Sequence, residues 1–264
     1  MNHLFEALWR DYIGLNPDAG KLYQLLLGEG LTVENDHVAF RTFEDPRINI
    51  DKLAQPFLAI GYVRKDQYVF REKKLRAWHF EHISGDAPKV FISELKTREF
   101  SPRLQEIVKG LVDQLPQVFT HDESFLWRGR PWQVSSDQYR ALLGESEYAA
   151  WMAAFGFRAN HFTVSLNKMG RFKTVAEFNA FIKGKGFRLN ASGGEIKGGP
   201  SDFLEQSSTL ANEIDVKFSD GTMRIPACYY EFAKRYPLPD GKLFQGFVEK
   251  SADKIFESTD TVKS

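Results

Sequence analysis

The same order of strands and helices is predicted twice along this chain. In each copy a strand-like run carries a histidine, a short helix ends at a glycine followed by an aromatic residue, and further strands follow. His37 lies 24 residues before Gly61, and His161 lies 25 residues before Gly186. The repeat predicts two βαβββ modules in an α+β protein, forming a half-barrel. The alternative is two unrelated α+β stretches that share a common order of elements.

Local signals mark several of these elements. Thr174 and Glu177 form a capping box at a helix start, and Ser101 followed by Pro102 marks another. The segment 191–200 contains two Gly-Gly pairs, which predict a mobile loop. Helices are predicted at 3–27, 51–59 and 137–154, and strands at 36–43, 75–83, 89–95, 160–166, 213–219 and 223–232.

We predict a single structural unit over residues 1–264. Between the two modules lies a mostly helical insert, whose apolar residues are spaced as on one face of a helix. The consecutive parts are an N-terminal helical segment at 1–30, a first module at 31–96, the insert at 97–158, a second module at 159–250 and a polar tail at 251–264.

Composition narrows the class of protein. The 264 residues include 35 acidic and 35 basic side chains, a balance that argues against a nucleic-acid partner, which usually needs a basic excess. The lone Cys228 excludes an intrachain disulfide and a metal site built from cysteines alone. No run approaches the ~20 apolar residues of a membrane span, and charged residues interrupt the N-terminal apolar pattern. A cytoplasmic protein without a membrane partner is predicted.

The first strand of the first module carries two candidate functional residues. His37, Ala39 and Arg41 share one face, since side chains two apart in a strand point the same way. The small Ala39 leaves room between the other two, so that a histidine-bound metal and the guanidinium can bracket a short dicarboxylate. The alternative is that Arg41 lies on a solvated face.

The second module offers matching candidates. His161, Thr163 and Ser165 share the polar face of its first strand, which lines either a functional cavity or the solvent. Glu231 shares a face with Tyr229 on the last strand, in an apolar context where an unpaired carboxylate is costly to bury. Each of these residues alone also fits a structural role.

Taken together, two histidines and one carboxylate suggest a metal site. His37 and His161 occupy equivalent positions, so pseudo-symmetry brings them face to face, and Glu231 lies on the closing strand. This ligand set is the facial triad of non-heme Fe(II) oxygenases. It leaves three positions on an octahedral ion, two for a chelating 2-oxo acid and one for dioxygen. The single net positive charge favours an anionic chelator.

Three stretches resemble the 2-oxoadipate dioxygenase/decarboxylase family, which is similar in architecture to the vicinal-oxygen-chelate enzymes. They are 36–43, 160–163 and 229–232, and the resemblance extends over roughly residues 35–247. It implies Fe(II) ligation by His37, His161 and Glu231. It also implies substrate contact by Arg41 and, with their surroundings, by the two histidines.

The resemblance implies a reaction in which one 2-oxo dicarboxylic acid supplies both the chelating group and the carbon that is oxidised. For 2-oxoadipate, dioxygen gives 2-hydroxyglutarate and carbon dioxide, a step in lysine degradation. Arg41 is the predicted catalytic clamp, since its planar fork matches a carboxylate. Ser165, Ser208 and Tyr229 are predicted further substrate contacts. The alternatives are a Zn- or Mn-dependent lyase, isomerase or hydrolase, and a non-catalytic small-molecule-binding module.

Overall fold

The computed structural model describes residues 2–117 and 119–249. They form an eight-stranded sheet and a separate two-stranded hairpin, together with helices. The helices are α1 (Asn2–Leu15), α2 (Pro17–Gly28), α3 (Ile50–Ala59), α4 (Pro102–Val112), α5 (Ser136–Leu143), α6 (Glu147–Phe155), α7 (Leu166–Met169) and α8 (Val175–Gly184). The strands are β1 (Asn35–Phe43), β2 (Tyr62–Phe70), β3 (Leu75–His82), β4 (Lys89–Leu95), β5 (Ala159–Ser165), β6 (Lys197–Gly199), β7 (Leu204–Ser208), β8 (Glu213–Phe218), β9 (Gly221–Pro226) and β10 (Glu231–Arg235).

The large sheet consists of two sets of four strands in mirrored order. That order is β2-β3-β4-β1-β5-β10-β7-β6, so the first strand of each set meets the other at the centre of the sheet. β1 and β5 are antiparallel, and each runs parallel to the last strand of its own set, β4 or β10. The sheet curls into a half-barrel, so the α+β fold class expected from the repeat is confirmed.

The strands of the second module differ from the prediction. The strands expected at 213–219 and 223–232 are present in part as β8 and β9, but the expectation that both belong to the sheet of this module is wrong. β8 and β9 pair with each other and, within residues 2–117 and 119–249, with no strand of the large sheet. Half of their residues are exposed, as in a surface hairpin. After the hairpin, the chain rejoins the large sheet at Glu231, the first residue of β10. The other two strands of this half of the sheet are β6 and β7, which precede the hairpin.

Two strands arise where the sequence pattern is weak. β6 lies in the segment predicted to be a mobile loop, where it pairs with β7 at the sheet edge. The buried ammonium of Lys197 donates hydrogen bonds to the carbonyls of Ser192 and Gly194, and these bonds stabilise the conformation of segment 191–200. β2 carries five consecutive exposed residues, mostly charged, as suits an edge strand, and therefore lacks a clear apolar alternation.

Two of the predicted helices are each divided in two. Pro17 lacks the amide hydrogen that a continuous helix needs, so the chain restarts there with Asn16 as the cap of α2. The helix predicted at 137–154 is broken between Gly144 and Ser146, because Ser146 caps α6 separately. Both breaks place a polar cap where the apolar periodicity continues, which explains why periodicity alone misses them.

The helical insert packs against the centre of the sheet. α4 begins after the predicted cap Ser101, whose hydroxyl accepts a hydrogen bond from an amide of the first turn. α6 is buried along its whole length from Tyr148 to Phe155, as expected of a helix that is apolar all round. The hydroxyl of Tyr148 accepts a hydrogen bond from the amide of Thr42 at 2.9 Å, which joins α6 to β1.

Two expectations concern the ends of the chain and membranes. The tail predicted at 251–264 lies outside the residues that the structure describes. In the parts that it does describe, no helix is long and apolar enough to cross a membrane. The division into modules and insert stays a prediction.

Candidate metal centre

His37, His161 and Glu231 converge in one buried group. A possible ligand atom from each lies within 4.8 Å of the other two. The Nε2 atom of His37 is 3.3 Å from Oε1 of Glu231, and that of His161 is 3.8 Å from Oε2. The structure thus brings together the three side chains that the repeat singled out, and this group can hold a metal ion.

The register of three neighbouring strands places these side chains. Thr163 of β5 lies opposite His37 of β1 on one side and opposite Glu231 of β10 on the other. His161 precedes Thr163 by two residues and so shares its face. The Thr163 hydroxyl donates to Oε1 of Glu231 at 3.0 Å and lies 3.1 Å from Nε2 of His37. Thr163 therefore links two of the three candidate ligands.

Each histidine is oriented by the residue before it. The Nδ1 atom of His37 lies 2.8 Å from a carboxylate oxygen of Asp36, and that of His161 lies 3.0 Å from the amide oxygen of Asn160. Because these oxygens only accept hydrogen bonds, Nδ1 carries the hydrogen in both rings. Nε2 is then the atom that faces a metal, as is usual for metal-binding histidines.

The two oxygens of Glu231 have different surroundings. Oε1 accepts hydrogen bonds from Thr163 and from the side-chain amide of Gln206, the latter at 2.7 Å. Oε2 is buried and has no hydrogen-bond partner. An unsatisfied buried carboxylate oxygen is costly, and a cation beside it removes that cost. The orphan oxygen and the two Nε2 atoms fit a divalent metal.

Burial and neighbouring charges shift the protonation of these groups. Burial disfavours the charged form of His37, but hydrogen bonds to Asp36 and Glu231 raise its pKa above the ordinary value. Burial lowers the pKa of His161 to about 3, so this ring is neutral at physiological pH. Burial also opposes ionisation of Glu231, yet the neighbouring imidazoles and the Thr163 hydroxyl hold its pKa below the usual range. An ionised carboxylate and a neutral imidazole are competent metal ligands.

A buried ion pair supports the His37 side of the group. Arg235 at the end of β10 donates from Nε and Nη2 to both carboxylate oxygens of Asp36, at 2.7 and 2.8 Å. Its Nη1 atom donates to the carbonyls of Phe244 and Gly246. The same segment places the ring of Phe247 against His37, with centroids 4.8 Å apart. The chain beyond β10 therefore forms one wall of the site.

A cavity adjoins the three candidate ligands. Tyr229 and Asn160 both line it, and the Tyr229 hydroxyl and the Asn160 amide nitrogen are buried without a hydrogen-bond partner. Ser165 and Ser208 are buried in the adjoining strands but do not line this cavity, so their contact with a substrate stays a prediction. The lining residues are His37, Ala39, Phe40, Arg41, Phe91, Ser93, Asn160, His161, Gln206, Tyr229, Glu231 and Phe247.

Arg41 lies at the insert side of this cavity. Its side chain is 2% exposed, and its guanidinium carbon lies 4.9 Å from the ring centre of Tyr148 and 5.1 Å from that of Trp151, both in α6. The carboxylate of Glu147, also in α6, is 3.8 Å from its Nη1 atom. The solvated alternative for Arg41 is therefore wrong, because the insert buries this side chain.

Several residues of the site are missing from the sequence prediction. Asp36 and Asn160 have a detectable signal, since each precedes a histidine at the equivalent position of the two modules. Gln206 and Phe247 have no such signal in the sequence, because β7 was not predicted and Phe247 follows the last strand. The α6 residues around Arg41 also have no sequence signal of a role in the site, since burial alone explains their apolar pattern.

The structure is a half-barrel with a buried group of side chains that can hold a metal ion. A similar fold occurs in a Ralstonia eutropha protein assigned to the glyoxalase superfamily, with a TM-score of 0.71 and 19% identity over 92% of this chain and 84% of that one. The expected likeness to vicinal-oxygen-chelate folds is thus confirmed at the level of the fold.

Comparisons of sequence define the family. A sequence model of the 2-oxoadipate dioxygenase/decarboxylase family matches residues 24–124 and 113–244. The chain is 36% identical to the chloroplastic/amyloplastic 2-oxoadipate dioxygenase/decarboxylase of Oryza sativa, over 94% of this chain and 75% of that protein. The chain therefore belongs to the 2-oxoadipate dioxygenase/decarboxylase family, as the resemblance implied, and it is an enzyme of this type.

Two crystal structures are closely similar. The hydroxyglutarate synthase of Oryza sativa in complex with 2-oxoadipate has a TM-score of 0.91 and 34% identity, over 97% of this chain and 91% of that one. A Shewanella frigidimarina protein named as a hydrolase has a TM-score of 0.91 and 52% identity, over 94% of this chain and 97% of that one.

Proposed function

We propose that this protein is an Fe(II)-dependent dioxygenase that converts 2-oxoadipate and dioxygen into 2-hydroxyglutarate and carbon dioxide. Membership of the family supports the reaction type, and the similar rice enzyme was crystallised with 2-oxoadipate. The reaction is balanced, because both atoms of dioxygen end in the two products. A place in lysine degradation and a cytoplasmic location remain predictions.

The observation that carries the proposal is a set of buried polar atoms without partners around one cavity. Oε2 of Glu231 is an orphan acceptor, while the Tyr229 hydroxyl and the Asn160 amide are orphan donors. A cation satisfies the first, and the oxygen atoms of a chelating anion satisfy the others. A metal complex of a 2-oxo acid supplies the cation and the acceptor oxygen atoms, whereas a purely apolar ligand supplies neither of them.

His37, His161 and Glu231 are the proposed Fe(II) ligands. Two imidazoles and one carboxylate on one side of an ion are typical of Fe(II) oxygenases. The bound ion would supply open coordination positions for the 2-oxo acid and for dioxygen. Zn(II) and Mn(II) are the alternative ions for the same donor set.

The other side chains of the cavity bind and shield the substrate. Arg41 binds the carboxylate far from the metal, since its planar guanidinium can donate two parallel hydrogen bonds. Burial raises the pKa of Tyr229 well above its ordinary value, so its hydroxyl remains a hydrogen-bond donor. Phe91 and Phe247 contact each other, with ring centroids 4.8 Å apart, and exclude water from the methylene chain of the substrate.

Oxygen consumption tests the proposal. Protein loaded with Fe(II) is mixed with 2-oxoadipate or with 2-oxo diacids one carbon shorter and longer, and the products are identified. We expect one dioxygen consumed and one carbon dioxide released per 2-oxoadipate, and no consumption in the presence of a chelator. Absence of uptake with every acid, in protein fully loaded with iron, would contradict the proposal.

A metal-dependent hydrolase is the second candidate, because the 52% identical Shewanella protein is named as a hydrolase. A hydrolase needs no dioxygen and uses Zn(II) or Mn(II) as a Lewis acid. Substrate turnover under nitrogen with either of these ions would favour this candidate over the dioxygenase.

A further inference from the structure

Arg41 separates two cavities. It lines the cavity at the proposed metal ligands and also an outer cavity whose lining includes Glu72, Glu147 and Tyr148. Because its side chain is only 2% exposed, a carboxylate reaches the guanidinium from one of these two cavities. A substrate bound to the metal reaches Arg41 from the inner cavity, at the proposed ligands, whereas Glu147 lies at the outer cavity.

The guanidinium is held by rings that are themselves anchored. The Tyr148 hydroxyl donates to the carbonyl of Ser93 at 2.7 Å, and the Trp151 indole donates to the carbonyl of Ala227 at 2.6 Å. Both rings lie about 5 Å from the guanidinium carbon of Arg41. The position of the Arg41 guanidinium is therefore set by these two α6 rings, each of which is anchored to a backbone carbonyl. It does not depend on Glu147 alone.

Glu147 is a counter-ion that lies farther from Arg41 than a direct hydrogen bond would place it. Its Oε1 atom is 3.8 Å from Nη1 of Arg41, longer than the roughly 2.7–2.9 Å of a charge-assisted hydrogen bond. It lies in the first turn of α6, after the cap Ser146, where the helix terminus favours a negative charge. A substrate carboxylate can thus approach Arg41 more closely than Glu147 does.

We propose that Glu147 is a specificity-determining residue that weakens the binding of the distal carboxylate to Arg41. Two carboxylates on one guanidinium repel each other, so Glu147 reduces the advantage of a dicarboxylic over a monocarboxylic 2-oxo acid. The product is a dicarboxylate as well, and the same repulsion favours its release. This inference rests on the proposed function, because it assumes a substrate carboxylate at Arg41.

Binding without turnover tests the role of Glu147. Fe(II)-loaded protein is titrated calorimetrically under nitrogen with 2-oxoadipate and with 2-oxohexanoate, which has the same chain length but lacks the distal carboxylate. In Glu147→Gln we expect the Kd of 2-oxoadipate to fall by about fivefold or more, as expected from like-charge repulsion at a few ångströms. The Kd of 2-oxohexanoate should stay within about twofold, since it leaves Arg41 uncontacted.

Matched variants separate this role from a structural one. Glu72→Gln removes the same charge from another residue that lines the outer cavity, and should leave both Kd values unchanged. Arg41→Lys should weaken 2-oxoadipate only, and Glu147→Ala should repeat the effect of Glu147→Gln. A general disturbance of the site would instead weaken both ligands.

The outcomes also distinguish the inference from the proposed function. If wild type binds 2-oxoadipate and Glu147→Gln binds it equally or more weakly, the inference is wrong and the proposed function stands. If metal-loaded wild type does not bind 2-oxoadipate, the proposed function fails and the inference fails with it.

Discussion

At the scale of single residues, the two histidines have partners of different charge. Asp36 and Asn160 occupy equivalent positions before His37 and His161, and both accept a hydrogen bond from Nδ1. A carboxylate partner raises the basicity of a metal-bound imidazole more than an amide does. The pseudo-symmetric site is therefore electrostatically asymmetric, with the more basic ligand on β1.

His161→Ala should abolish tight metal binding, because it removes one of three ligands. Asn160→Ala should lower the affinity by about 10–100-fold, as is typical when the partner of a metal-bound histidine is lost. Competition with a chelating dye for added Fe(II) under nitrogen measures both. His82→Ala is the control, since His82 bonds the carbonyl of Ile60 away from the site. Equal affinities of wild type and His161→Ala would rule out the assigned ligand.

The alternation of a strand suffices to predict part of this site. It places His37 with Arg41, and His161 with Thr163, because side chains two apart share a face regardless of the rest of the fold. It does not show that Thr163 bonds His37 and Glu231, which are 126 and 68 residues away along the chain. Those contacts depend on strand register.

At the scale of elements, the end of β10 is joined to the segment that follows it and to β1. Arg235 pairs with Asp36 and also bonds the carbonyls of Phe244 and Gly246. One guanidinium thus fixes a metal-site partner and the segment that carries Phe247. The predicted strand at 223–232 includes only the first two residues of this element, because β10 begins at Glu231 and follows an irregular stretch.

Arg235→Ala should lower the free energy of unfolding by about 3–5 kcal/mol, because it leaves the buried Asp36 carboxylate without its partner. Arg224→Ala is the matched control, since Arg224 pairs with Glu213 and Asp215 on the exposed β8–β9 hairpin. Its loss should cost at most about 1 kcal/mol. Urea unfolding measures both, and equal effects would contradict the assigned difference in burial.

At the scale of the whole molecule, the N-terminal helix is coupled to the end of the helical insert through a partly buried carboxyl group. Asp11 of α1 lies 3.4 Å from Arg158, which precedes β5. Burial raises the pKa of Asp11 to about 6, although Arg158 acts in the opposite direction. Between the unfolded value of 3.8 and about 6, the folded protein binds more protons than the unfolded chain, so stability falls as pH rises.

Asp11→Asn should remove this pH dependence. Between pH 4 and 7, wild type should lose about 2 kcal/mol of unfolding free energy relative to the variant. Urea unfolding of both proteins at the two pH values gives the comparison. A parallel pH dependence would show that Asp11 ionises normally in the folded state.

The sequence by itself determined the repeat, the two histidines at equivalent positions and the face shared by His37 and Arg41. These follow from short-range periodicity, which each segment carries independently of its surroundings. Only the tertiary structure decided which strands complete the second module, that Gln206 and Phe247 enter the site, and that α6 encloses Arg41. Those features join segments far apart in the chain, and the packing of all elements together selects their register.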